Sequence, residues 1–403
     1  MNDKGMNLYD QIVALYRTGI EWNYYDTNIN KPFNKDKARD FIKQYFENGA
    51  KKKVILPLID EIESMRHVHT VSAFFVGLLI KRELCPNLIV YSQEYEDYEF
   101  SYLWFLVCLF HDMGYAIEND WTYKHIYRQN AKEYLKKYKQ VKGSCVRQRY
   151  EYEDLGLIFA APSRYKSAFS VRGRDNYVKP FEGIRFSNGV TIYNALYSRK
   201  TVLDYLEYCK MTDGIRHYDH GIVGGLWLYD SLMKNYHIAY WKEKEKDKNV
   251  NFKDFLVDGY WHFSEEQKMI FAYLADCIIA HNMWPASPDK IDMYKRCGLD
   301  ELTPPRFRKI SFERNPILFI LAIADTIEPI KLYLSVSQMS EVDIWKGIDI
   351  FFSKEYIRIK ILDNRLSFES LLCKVNGLDD WLDVKVVTDN EQREVTIYLC
   401  RCS

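Results

Sequence analysis

Residues 108–118 read CLFHDMGYAIE. An apolar run from Trp104 to Leu109 leads into an adjacent His111 and Asp112, with Met113, Gly114 and Tyr115 directly after them. On a helix over 101–115, Asp112 falls in line with Phe105, Cys108 and Leu109, and His111 lies about 100° round. A buried carboxylate without a partner costs several kcal/mol unless it is neutralised, paired or bound to a cation. The doublet therefore raises the question of what shares its site.

The other apolar helices answer it in the same way. Over 55–83, Ile62, Met65, His69, Ala73, Val76 and Ile80 follow helical spacing, with His69 on the apolar stripe. Over 219–237, His220 is in register with Val223 and Trp227. Over 264–283, His281 follows Ile270, Leu274 and Cys277, and over 314–334, Asp325 follows Leu318, Leu321 and Ala322. A single histidine on an apolar face is ordinarily a hydrogen-bonded core residue. Four histidines and two carboxylates aimed into one core would need a dense set of partners, and one or two divalent cations satisfy them together. Imidazole with carboxylate, and no thiolate in register, suits Mn, Fe, Co, Ni or Zn better than Ca or a zinc-finger site. An Asp beside a His can bridge two ions through its two oxygens, so a centre with two divalent transition metal ions is the natural expectation.

The bulk composition is that of a globular protein. The 403 residues are 47% apolar and 28% charged, and Lys+Arg and Asp+Glu cancel at 56 each. That balance gives no general electrostatic case for nucleic acid or an anionic membrane. The nine cysteines are scattered, and none forms Cys-x-x-Cys, which fits a reducing compartment better than a disulfide framework. The N-terminal MNDKGMNLYDQIVALY lacks the basic-then-apolar order of a secretion signal. The apolar runs at 103–110 and 317–324 are far short of the ~18 residues a membrane span needs. The expectation is a soluble cytoplasmic protein.

Along the chain, residues 1–50 read as an N-terminal helical segment and 51–335 as the metal-binding body. Residues 119–140 are expected to be helical, while 141–200 are punctuated by Gly and Pro and read as a loop-rich insertion. KEKEKDKN at 242–249 reads as a solvated connector. Residues 336–403 form a small α+β module: IDIFFSKEYIRIKIL (348–362), LDVKVV (382–387) and EVTIYLC (394–400) alternate like strands, with a helix expected within 366–380 and a hairpin turn at TDNEQR. The fold class is mainly α.

His69, the His111-Asp112 pair, His220, His281 and Asp325, in that order on successive helices, resemble the HD-domain superfamily. Arg66-x-x-His69-Thr70, Phe110-His111-Asp112-Met113-Gly114, and Asp219-His220-Gly221 with Gly224-Gly225 look like the family's local signatures, and the likeness spans roughly 55–335. The resemblance implies a helical bundle in which His69, His111, Asp112 and Asp325 hold one metal ion. His220 and His281, sharing Asp112, would hold a second. It implies a metal-dependent phosphohydrolase that cleaves a phosphoester or phosphoanhydride of a nucleotide or cyclic nucleotide, using a hydroxide bridging the two ions. Asp112, Arg66 as a phosphate contact and His125 as general acid are the catalytic candidates. The expected partner is a small phosphorylated substrate, with no membrane, nucleic acid disfavoured and an oligomer open. The alternatives are a di-iron oxygenase of the same ligand order and a non-catalytic, metal-stabilised binding protein. The chain departs from the family pattern at Tyr115, where many dinuclear members carry Lys, and at Asn282, where some members have another His.

Overall fold

A computed structural model describes residues 6–29, 32, 34–49, 51–60, 62, 64–92, 97–115, 183–193, 195–213, 219–229, 232 and 265–400. Short polar caps set the first helices. The side chain of Asn7 accepts from the Asp10 N–H at 2.9 Å to start α1 (Leu8–Thr18), and Asn34 does the same with Lys37 to start α2 (Lys35–Glu47). The helix expected over 55–83 is two helices, α3 (Lys52–Ile59) and α4 (Ser64–Leu84). The division falls after Asp60, the C-cap residue of α3, whose carboxylate is held by Arg39 and Lys43.

A short antiparallel pair, β1 (Ile89–Val90) and β2 (Tyr98–Glu99), leads into α5 (Phe100–Phe110). Helix α5 is apolar on every side and buried throughout, as a helix at the centre of a bundle should be. A second pair, β3 (Ile184–Arg185) with β4 (Thr191–Ile192), falls within the region read as insertion and bridges to Val90 through Phe186. The earlier part of that insertion, the helix expected at 119–140 and the connector at 242–249 lie outside the described residues.

Four further helices follow: α6 (Arg199–Asp213), α7 (220–229), α8 (Glu265–Ala280) and α9 (Ile291–Arg296). The run expected as one helix over 314–334 divides into α10 (Pro316–Ile327) and α11 (Pro329–Tyr333). Pro329 forces the division, because the residue before a proline is driven to extended backbone; Glu328 has φ −66° and ψ 119°. Helices α4, α5, α8 and α10 pack on one another as the central bundle. Asn315 joins two of them: it caps α10 through the Leu318 N–H and accepts from the Tyr273 hydroxyl of α8 at 2.5 Å.

After α12 (Glu341–Lys346) comes a four-stranded antiparallel sheet of order β5-β6-β8-β7, with β5 Ile348–Phe352, β6 Tyr356–Ile361, β7 Val384–Asp389 and β8 Glu394–Leu399. The stretch 348–362, expected as one strand, folds back at 353–355, where the Ser353 hydroxyl both donates to the Tyr356 carbonyl and accepts from its N–H. Two short helices, α13 (Phe368–Val375) and α14 (Leu378–Trp381), occupy the interval before β7, and the β7–β8 turn is NEQR (390–393), since Thr388 and Asp389 of the expected TDNEQR turn pair within β7.

This module is fastened to the body. Helix α13 packs on α10, and Ile310 pairs with Leu382 in a parallel bridge. Gln11 of α1 donates to the Ile350 carbonyl at 2.7 Å, and the Trp345 indole donates to Ser72 of α4 at 2.9 Å. One buried apolar cluster runs through the N-terminal helices, the central bundle and the sheet.

Candidate metal centre

The helix expected over 101–115 ends just before the doublet. Helix α5 ends at Phe110, His111 is its cap residue, and 111–114 form a turn. The last carbonyls of a helix lack intrahelical donors, and His111 uses one of them: its Nδ1–H donates to the Cys108 carbonyl at 2.8 Å. His281 repeats the device after α8, its Nδ1–H donating to the Ile278 carbonyl, also three residues back. A carbonyl accepts only from a protonated nitrogen, so both rings turn the lone pair of Nε2 inward. The backbone at the end of each helix thereby orients a histidine with Nε2 toward the cluster.

The other ligands arrive by packing. Helix α4 carries His69, with its Nδ1 against Glu328 Oε2 at 2.6 Å and its Nε2 3.0 Å from His111 Nε2. His67, two residues earlier, points away and bonds the Ile59 carbonyl at 2.9 Å. Asp325 near the end of α10 places Oδ1 3.4 Å from the Nε2 of both His69 and His111, and Asp112 Oδ2 lies 3.3 Å from His69 Nε2. His220, at the start of α7, has Nε2 3.8 Å from Asp112 Oδ1.

The backbone of α7 comes this close because glycines allow it. A Cβ on Gly114 would lie 2.1 Å from the His220 carbonyl oxygen, and one on Gly224 would lie 2.3 Å from that of Phe110. Asp219 caps α7 through the Ile222 N–H at 3.0 Å and accepts from the Asn282 side chain, so Asn282 serves the cap.

Two sets of ligand atoms result, each within 4.8 Å: His69, His111, Asp112 and Asp325, and then Asp112, His220 and His281. Asp112 belongs to both. This buried group of His and Asp residues could hold a metal ion, and the donor set fits one. The Nε2 atoms of His111 and His281 present lone pairs, the carboxylates accept only, and His281 Nε2 is buried without a hydrogen-bond partner. Imidazole nitrogen with carboxylate oxygen suits a divalent transition metal.

The remaining positive charge comes from residues that sequence reading placed elsewhere or missed. Lys331, in the first turn of α11, sets Nζ 3.2 Å from Asp112 Oδ1 and 2.9 Å from Asp325 Oδ1. Arg66 holds Asp112 Oδ2 at 2.9 Å, with its guanidinium 4.1 Å from the centroid of the Tyr115 ring, which in turn stacks on His220 at 3.8 Å. Burial alone would raise Asp112 and Asp325, but Lys331 and the neighbouring imidazoles hold both carboxyls well below the usual range. Burial would lower His69, yet the charges of Glu328 and Asp112 push it up to about 9. Burial depresses His220 well below the ordinary value and His281 to about 4, which keeps those rings neutral and ligand-competent.

Lys331 and Glu328 carry no apolar-stripe signal. The local clue was Pro329, which breaks the helix and turns both residues toward the centre. His125 lies outside the described residues. No helix among the described residues is long and apolar enough to cross a membrane. Compared with known proteins, the chain matches no family model, no curated protein and no solved structure.

Proposed function

We propose that the central helices form an HD-type bundle, and that the chain is a metal-dependent phosphohydrolase with a two-ion centre acting on a small nucleotide or cyclic nucleotide. The observation that carries this reading is the convergence of four imidazoles and two carboxylates around a shared Asp112, beside a cavity that also exposes a lysine ammonium. Divalent ions held there would supply Lewis acidity toward phosphoryl oxygens and a nucleophile at neutral pH. Asp112 would link the two ligand sets, and Arg66 would hold that carboxylate in place rather than touch phosphate. Lys331 lines the cavity and would bind a phosphoryl oxygen.

The oxygenase alternative drew its particular support from the lack of Lys at position 115. Lys331 brings an ammonium to the same carboxylates from another helix, and that support falls away. The test is hydrolysis of bis(4-nitrophenyl) phosphate, nucleotides and cyclic nucleotides under argon by protein loaded with Mn²⁺, Fe²⁺, Co²⁺, Ni²⁺ or Zn²⁺. Turnover that disappears in His281→Ala and Asp112→Ala, with folding retained by circular dichroism, is the expected result. Loaded protein that hydrolyses none of these compounds would refute the reading.

A further inference from the structure

The cavity beside the metal ligands holds about 320 Å³ and is lined by two unlike groups of residues. The first is the centre itself, with His220, His281, Asp325 and Lys331. The second draws on the C-terminal module, where Lys374 in the last turn of α13 and Asn376 just after that helix reach the cavity with Trp284 and Trp381.

Three observations make this second group more than passing surface. First, it is fixed in place. Helix α13 packs on α10, the helix that carries Asp325, and Trp381 stacks on Trp284 with centroids 4.7 Å apart. The Ile310 N–H also donates to the Trp381 carbonyl at 3.1 Å, and the Asp383 N–H to the Ile310 carbonyl at 2.8 Å. Secondly, among the described residues Lys374 makes no ion pair and the Asn376 side chain no hydrogen bond, so their donors remain available to a ligand. Thirdly, two cations line the same cavity: Lys331 is engaged with the carboxylates of the centre, and Lys374 is exposed. A cavity of this size takes a small molecule rather than a polymer strand.

We propose that the C-terminal end of α13 is a distal substrate subsite, in which Lys374 and Asn376 receive a second anionic group of a small phosphorylated molecule whose reacting phosphate lies at the metal ligands. The Trp284–Trp381 pair gives that subsite an apolar wall for the body of the molecule. This inference rests on the phosphohydrolase reading and gives the C-terminal module the task of selecting substrates. Lys374 also lies in the last turn of its helix, where a cation complements the terminal carbonyls. A purely structural role of that kind would alter stability and leave the ratio of ligand affinities unchanged.

The test is calorimetric binding to the full chain loaded with Mn²⁺, with orthophosphate, adenosine 5′-monophosphate and adenosine 3′,5′-bisphosphate as probes. Wild type should bind the bisphosphate more tightly than the monophosphate. Lys374→Ala should remove about a tenfold advantage, the worth of one exposed charge-assisted contact. It should leave metal stoichiometry and monophosphate affinity unchanged, and Lys374→Arg should keep the advantage. If wild type binds both nucleotides with no preference, or if Lys374→Ala leaves the preference intact, the subsite is refuted and the phosphohydrolase reading stands. If loaded wild type binds neither nucleotide nor orthophosphate, the phosphohydrolase reading fails and the subsite fails with it.

Discussion

Glu328 concentrates two jobs in one buried carboxylate, and replacing it should separate stability from metal affinity. One oxygen accepts from the Ile330 N–H at 2.7 Å; the other accepts from the Lys331 N–H at 3.0 Å and from His69 Nδ1 at 2.6 Å. Glu328 is thus both the cap of α11 and the group that fixes the ring of a ligand. Glu328→Ala removes a cap worth ~1 kcal/mol and a charge-assisted bond worth ~2 kcal/mol, so metal-free protein should lose about 3 kcal/mol. Glu328→Gln keeps an acceptor oxygen and should lose less than half of that. In both variants His69 loses the anion that raises its basicity, so metal affinity should fall by about ten- to a hundredfold, as when other partners of ligating histidines are removed. Urea unfolding in the presence of EDTA gives the first quantity, and competition titration with a chromogenic chelator gives the second. A Glu328→Ala protein with unfolding and metal affinity like wild type would refute the assignment of both jobs.

Three further outcomes are expected. Gly224→Ala places a methyl group 2.3 Å from the Phe110 carbonyl oxygen and should cost ~1–3 kcal/mol by forcing α7 away; urea unfolding measures the loss, and a neutral effect would contradict the close approach. Lys331→Met leaves Asp112 and Asp325 without their ammonium, so metal-free protein should lose ~3 kcal/mol and Mn²⁺-loaded protein much less; equal losses with and without Mn²⁺ would count against the exchange of one cation for another. Burial lowers Lys51 from its ordinary 10.5 to about 7, so between those values the unfolded chain holds the extra proton and stability rises with pH. Lys51→Met should flatten that rise and add roughly 4 kcal/mol near pH 7; parallel pH–stability curves for the two proteins would refute it.

The His/Asp cluster was legible in the sequence because its members fall at helical spacing within apolar runs, and buried polar groups need partners. The selection of His69 over His67 followed from the same geometry, and the structure separates them as expected. Helix ends were harder to read. Helix α5 stops at Phe110 and α8 at Ala280 because the following histidines satisfy carbonyls that an uninterrupted helix would satisfy itself. The breaks at 60–64 and at Glu328–Pro329 depend on caps and a proline, which weigh little against a long apolar pattern. Lys331 and Glu328 follow from that second break, so they escaped notice with it. The placement of Lys374 beside the cavity depends on how the terminal sheet docks on α10, a long-range contact that no local spacing encodes.

The central claim is that this cluster is a metal centre. Diffraction from crystals grown with Mn²⁺ and measured above its absorption edge tests it most directly. The account predicts an anomalous peak among His69 Nε2, His111 Nε2, Asp112 and Asp325, and a second toward His220 and His281 at full loading. Well-ordered side chains at these positions with no anomalous signal among them, at Mn²⁺ concentrations far above those of the protein, would contradict it.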